Sequence, residues 1–212
     1  MWSVRPAAPF RPVLLAAVLI CSAGSLAAQA PAGADARTIV DNEWVTVREL
    51  SGPAAAGAWA RERDVVRVSL DAATTGAAVF RPRGSGAVGT GGWRADRFVE
   101  VELKERPMTS YPLPAGQPPA FPRPGARKPV DTGRATVWDY TFIPNVPSPV
   151  HFHDRDVVVV FLGEGTLAST TPDGTVTRRD HTNGMVLFNP GNRVHTETLV
   201  RGAGRVIVIE LR

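Results

Sequence analysis

The tetrapeptide Arg-Asp-Val-Val occurs twice in this chain, at residues 63–66 and again at 155–158. The frame continues beyond it. Val68 and Leu70 recur as Val160 and Leu162 at the same offset of 92. The offset then becomes 108 and stays there. Gly76 recurs as Gly184, Phe80 as Phe188, Pro82 as Pro190 and Arg97 as Arg205, and F-V-E-V-E-L-K at 98–104 recurs as V-I-V-I-E-L-R at 206–212. A single change of register between two aligned blocks is what a duplicated unit leaves behind after one insertion or loss. The extra segment lies between Leu162 and Gly184 and holds the turn Pro172-Asp173-Gly174. The expectation is a duplicated β domain whose earlier copy has lost a hairpin.

Valine, isoleucine and threonine dominate short runs in both halves, and glycine, proline and Asx residues punctuate them. That is strand composition. No ten-residue stretch after the first thirty residues shows helical periodicity. Asp173-Gly174 and Asn183-Gly184 are hairpin signals. The runs 157–162 and 206–209 are apolar on both faces, so each strand is buried on both sides. One face should point into a barrel and the other should meet a second sheet, for which the sister copy is the economical candidate. Residues 106–131 are dense in proline, which removes donors and fixes φ. They read as an extended linker. The expected layout is residues 1–30 as a leader, 31–105 as the earlier domain, 106–131 as linker and 132–212 as the later domain.

Residues 1–30 have the layout of a secretory signal: Arg5 and Arg11 without an acid, a short apolar run at 13–20, then small residues with a cleavage site after Ala27. The run is too short for a permanent membrane span. The expected location is therefore periplasmic or secreted, with no membrane attachment after cleavage. Cys21, the only cysteine, lies within that leader. Cysteine nucleophiles, thiolate metal sites and disulfide staples are excluded for the processed chain. Its net charge falls from +4 to +2 when the two leader arginines are removed. No basic cluster interleaves with aromatic residues, so nucleic acid is not an expected partner. The partner expected is a small molecule.

Chemistry concentrates in V-H-F-H-D-R-D at 150–156 and N-P-G-N-R-V-H at 189–195. Residues i and i+2 of a strand share a face, so His151 and His153 aim into one space. His195 ends the second segment. Imidazole suits Zn, Fe, Mn, Ni or Cu, and three histidines leave positions open for water or substrate. Two carboxylates stand near. Asp156 is either a fourth ligand or a turn carboxylate that orients a histidine. Glu197 shares the strand face of His195 and is a further ligand, a general base or a rim carboxylate. His181, outside both segments, is read as a surface histidine. Trp138, Tyr140 and Phe142 alternate along a strand and are read as barrel lining or core. In the repeat alignment Trp59 and Arg61 stand at the places of His151 and His153, and Ala87 at that of His195. The earlier copy thus lacks the imidazoles and reads as a packing partner.

These residues resemble the cupin superfamily. Its first motif, G-x5-H-x-H-x3-4-E-x6-G, is matched by His151, His153, Asp156 in place of glutamate and one residue closer, and Gly163. Its second, G-x5-P-x-G-x2-H-x3-N, is matched by Gly184, Pro190 and His195, with Leu199 at the asparagine position. The resemblance implies an all-β fold, a double-stranded β-helix or jelly-roll barrel, here in two tandem copies with the first degenerate. It implies one divalent transition metal (Zn, Mn or Fe) on His151, His153 and His195. Two functions follow: a metal-dependent oxygenase, isomerase or lyase acting on a small molecule, or a non-catalytic protein that captures a small ligand or metal.

Overall fold

A computed structural model describes residues 35–52, 62–85, 95–105 and 110–212. The leader, and the positions of Trp59, Arg61 and Ala87, lie outside the described residues. The fold is all-β. Earlier in the chain, β1 (Asp35–Asp41), β2 (Val45–Ser51), β3 (Asp64–Ser69), β4 (Ala78–Arg81) and β5 (Arg97–Leu103) form one antiparallel sheet in the order β1-β2-β5-β3-β4. Later, β6 (Arg127–Asp131), β7 (Ala135–Thr141), β9 (Val157–Leu162), β12 (Val186–Asn189) and β14 (Arg205–Leu211) form a second sheet, ordered β12-β9-β14-β7-β6. A third consists of β8 (His151–His153), β10 (Gly165–Thr170), β11 (Val176–His181) and β13 (Arg193–Gly202), in the order β11-β10-β13-β8.

The repeat reappears as register. Val65 pairs with Glu102 as Val157 pairs with Glu210, and Val68 pairs with Ala78 as Val160 pairs with Val186. Val45 pairs with Leu103 as Ala135 pairs with Leu211, so β1 and β2 are also repeated, in β6 and β7. The later half carries the hairpin β10–β11 between β9 and β12. The earlier half crosses from β3 to β4 through residues 70–77 and one short 3-10 turn, Ala72–Thr74.

The first and second sheets pack face to face. Val45, Val47, Val66, Val68, Val99, Val101 and Leu103 meet Ala135, Val137, Val158, Val160, Ile207, Ile209 and Leu211, and all are buried. Each such side chain contributes roughly 1.5–3 kcal/mol for valine or leucine when fully removed from water. This is the cover that the doubly apolar strands require. The contact is reciprocal. A Cβ at Gly76 would lie 2.8 Å from both Leu162 Cδ1 and Arg205 Nη2, and one at Gly184 would lie 3.0 Å from Leu70 Cδ1 and 3.3 Å from Arg97 Nη2. Both glycines have positive φ, at +79° and +83°, so the turn and the close approach each call for glycine. Ion pairs repeat too: Arg37 and Arg97 flank Glu49 as Arg127 and Arg205 flank Asp139.

The proline-rich segment departs from the expected linker. It is extended, but it is built into the later barrel. Phe152 N–H donates to Pro118 O and Ala120 N–H to Phe152 O, both at 2.8 Å, so the chain runs alongside β8. Ala120 and Phe121 are buried, and Phe121 stacks on Trp138 with centroids 5.1 Å apart. The segment ends as edge strand β6, where Pro129 lies within an irregular register, as proline on an edge allows. The second and third sheets, with this segment beside β8, enclose a cavity. Trp138, Phe142, Phe161, Val206 and Val208 form the apolar cluster on that side.

Candidate metal centre

Strand alternation delivers the histidines. In β8, His151 and His153 face inward, while Phe152 between them is 2% exposed and pairs by its backbone with the proline-rich segment. Strand β13 runs antiparallel to β8 with His195 directly opposite His151. All three imidazoles are buried, and one ring nitrogen from each lies within 4.8 Å of one from each of the others. His153 Nε2 and His195 Nε2 are 3.1 Å apart.

A carbonyl fixes the tautomer of one ring, and a hydroxyl is placed to set that of a second. His151 Nδ1 lies 2.9 Å from the Pro149 carbonyl, which can only accept, so Nδ1 carries the proton and Nε2 presents a lone pair. That Nε2 is buried with no hydrogen-bond partner. His195 Nδ1 lies 3.0 Å from Ser169 Oγ; with Nδ1 donating, its Nε2 likewise turns a lone pair inward. Burial first, then the neighbouring imidazoles, pushes His153 down to about 2. Burial pushes His195 down to about 4 against the pull of Glu197, and His151 is lowered by burial and by Arg123. The three rings are therefore neutral at neutral pH, the form that binds metal. Two nitrogens on one ion with bonds of about 2.1 Å are separated by roughly 3.0–3.4 Å at octahedral or tetrahedral angles. The His153–His195 spacing fits, and the orphaned His151 nitrogen supplies a third donor.

The carboxylates divide. Among the described residues, the side chains close enough to share an ion are the three histidines, and Asp156 is engaged elsewhere. Its Oδ1 accepts the Gly191 N–H at 2.7 Å in a buried bond, and its backbone carbonyl accepts Leu211 N–H. It ties the turn after β8 to the turn that leads into His195, and so positions the site from outside it. Glu197 borders the histidines, with Oε2 3.8 Å from His151 Nε2 and 3.6 Å from Arg123 Nη1. Ser148 pins the Glu197 backbone on both sides, accepting its N–H on Oγ and donating N–H to its carbonyl.

A cavity of about 440 Å³ opens beside the triad. His153, His195, Glu197 and Ser169 lie on its wall together with Tyr140 and Phe142. Trp138 sits behind that wall, stacked on Phe121 and donating from Nε1 to Glu210 at 2.7 Å. His181 is not at the surface: it is 3% exposed, stacks on Phe161 and bonds the Ala203 carbonyl. Sequence reasoning missed Ser169, which only cross-strand register brings to His195. It also missed Arg123, whose one signal was an arginine between two prolines in F-P-R-P.

Two antiparallel sheets with three inward histidines between them give the later half the layout of a double-stranded β-helix. No family model matches the sequence, and no curated protein does. Some solved structures are similar to part of the chain. A cupin domain from Bordetella pertussis Tohama I is 27% identical, covering 44% of this chain and 99% of that one, with a TM-score of 0.39. An RmlC-like cupin with a double-stranded β-helix fold from Methanocaldococcus jannaschii is 16% identical, covering 43% and 85%, with a TM-score of 0.35. The polyketide cyclase RemF from Streptomyces resistomycificus is 21% identical, covering 51% and 79%, with a TM-score of 0.35.

Proposed function

We propose that this cupin-fold protein binds one divalent transition metal through His151, His153 and His195 and uses it to transform a small molecule in the adjoining cavity. Zn, Mn and Fe all suit three imidazoles. The observation that carries the reading is the cluster of three buried, neutral imidazoles, two of them (His153 and His195) on the wall of a cavity, with the His151 Nε2 lone pair unbonded. A bound divalent ion would supply Lewis-acid polarisation or oxygen activation there. The chain's own residues do the remaining work. Pro149 O and Ser169 Oγ orient two of the rings. Asp156 holds the loop before His195. Tyr140 and Phe142 exclude water from one side of a ligand. Glu197 stands where it can accept a proton from a ligand in the cavity. An oxygenase and an isomerase or lyase both use such a base. Residues 1–30 fit a leader for export, so the metal is acquired outside the cytoplasm.

The test is turnover by the metal-loaded, exported protein, screened for oxygen uptake and for isomerisation or elimination of small molecules. Glu197→Gln is expected to keep the metal and lose roughly a hundredfold or more in kcat, in the range typical of a lost general base. Metal binding without turnover of any candidate would favour the binding-protein reading instead.

A further inference from the structure

The cavity beside the histidines carries a polar group that the metal does not use. The Arg123 side chain is 8% exposed. Its Nε–H donates to the Ala120 carbonyl at 2.9 Å, and its guanidinium lies 4.2 Å from the Phe121 ring centroid and 4.8 Å from that of Tyr140. Backbone and two rings thus fix the fork, while Nη1 is buried with no hydrogen-bond partner. Glu197 approaches Nη1 only to 3.6 Å. A buried donor left unbonded on a cation is costly, and an acceptor delivered by a ligand removes that cost.

Charge on the wall points the same way. Arg123, Arg179 and Arg193 line the cavity, and Glu197 is the one carboxylate among its lining residues. Phe161, Leu167, Val206 and Val208 supply apolar lining. A guanidinium fork matches planar, bidentate acceptors such as a carboxylate, and a carboxylate can be carried directly on an apolar body. We propose that the cavity binds a small carboxylic acid with an apolar body, its carboxylate accepting from Arg123 and its body against Phe161 and Val208. This rests on the reading of the cavity as the ligand site beside the metal.

The experiment titrates trans-cinnamate and benzoate, and their neutral amides, into the full chain by calorimetry, with zinc and without it. The acids should bind at least tenfold more tightly than the amides in both forms. Persistence without zinc shows that the preference does not come from a carboxylate–metal bond. Arg123→Met should abolish the preference, and Arg123→Lys should retain part of it, with melting temperature and zinc stoichiometry unchanged in both. Equal affinity for acid and amide, no binding of either acid, or a preference that survives in Arg123→Met would overturn the proposal. If Arg123→Met does not fold, the wild-type acid-to-amide ratio and Arg123→Lys decide it. Failure to take up zinc would refute the metal reading alone, since the zinc-free titration still judges this one.

Discussion

Arg67 and Val159 occupy the same place in two sheets of identical strand order and register, and they do opposite things. On the faces where the sheets meet, both copies present valine, leucine and isoleucine. On the other face they diverge. The later copy presents Val159, Phe161, Val206 and Val208 to the cavity. The earlier copy has Arg67, Ser69, Phe98 and Glu100 at those positions. Arg67 is 1% exposed and reaches Glu100 Oε2 at 2.8 Å from Nε and Nη2, lying over Phe98. Arg48 and Arg63 reach Glu102 at 3.0 and 2.8 Å. A largely buried ion-pair cluster stands where the later copy has a cavity wall. The two copies thus share the interface and differ on the second face, which is charged in one and lines a cavity in the other.

The largest effect expected comes from breaking the charged face. Arg67→Met takes the nearer cation from buried Glu100, leaving only Arg48 at 3.9 Å, and should cost about 3–5 kcal/mol in urea unfolding. Arg67→Val combined with Glu100→Val installs the later copy's residues and should recover most of that loss, because an apolar pair avoids desolvation. A double variant as unstable as the single one would show that the two faces are not interchangeable. Next comes the shared interface. Leu103→Ala and Leu211→Ala remove equivalent, fully buried side chains, and each should cost about 2–5 kcal/mol. A large loss at only one of them would break the reciprocity.

Asp156→Ala leaves the buried Gly191 N–H without its acceptor and should cost about 1–3 kcal/mol. Metal should still bind at one equivalent, with weaker affinity. Complete loss of metal with the fold intact would restore Asp156 as a ligand.

The smallest effect separates Glu102 from Glu210, which share a register position. Glu102 has two arginines, and Glu210 has the Trp138 indole. Burial raises the Glu210 carboxyl above its ordinary 4.5, against the Trp138 hydrogen bond. A raised carboxyl favours the folded state when protonated, so its contribution is lost as pH rises from 4.5 through the higher folded value. Glu210→Gln should remove that loss and be neutral or mildly stabilising at pH 7, whereas Glu102→Gln weakens two ion pairs and should destabilise. Thermal melts from pH 4 to 8 check both signs. Asp139 behaves oppositely. Burial resists its ionisation, but Arg205 and Arg127 outweigh that and lower it below 3.8. Its stabilisation is present above pH 3.8 and disappears as pH falls through the folded value.

Much of this was legible in sequence because alternation and repetition are local. The Arg-Asp-Val-Val frame exposed the repeat, the change of offset located the hairpin that the earlier copy lacks, and H-x-H with His195 marked the histidine cluster. What escaped depends on where strands meet. The β1–β2 repeat was hidden because Arg48 and Leu50 replace Trp138 and Tyr140. Ser169 reaches His195 only through the β10–β13 pairing. The proline-rich segment looked like a linker because proline density reports extension and says nothing of what the chain packs on. His181 sits among charged residues, yet a strand end turns it inward onto Phe161. Asp156 has the spacing of a ligand motif, and only the Gly191 N–H reveals its task.

The central claim is that metal binding belongs to the later copy alone and depends on its three imidazoles. Elemental analysis of exported, untagged protein tests it directly, alongside His153→Ala with its fold checked by circular dichroism. The account predicts one equivalent of a divalent transition metal per wild-type chain and none in the folded variant. A folded wild-type chain free of metal after incubation with Zn, Mn and Fe salts, or a variant that keeps its full equivalent, would contradict it.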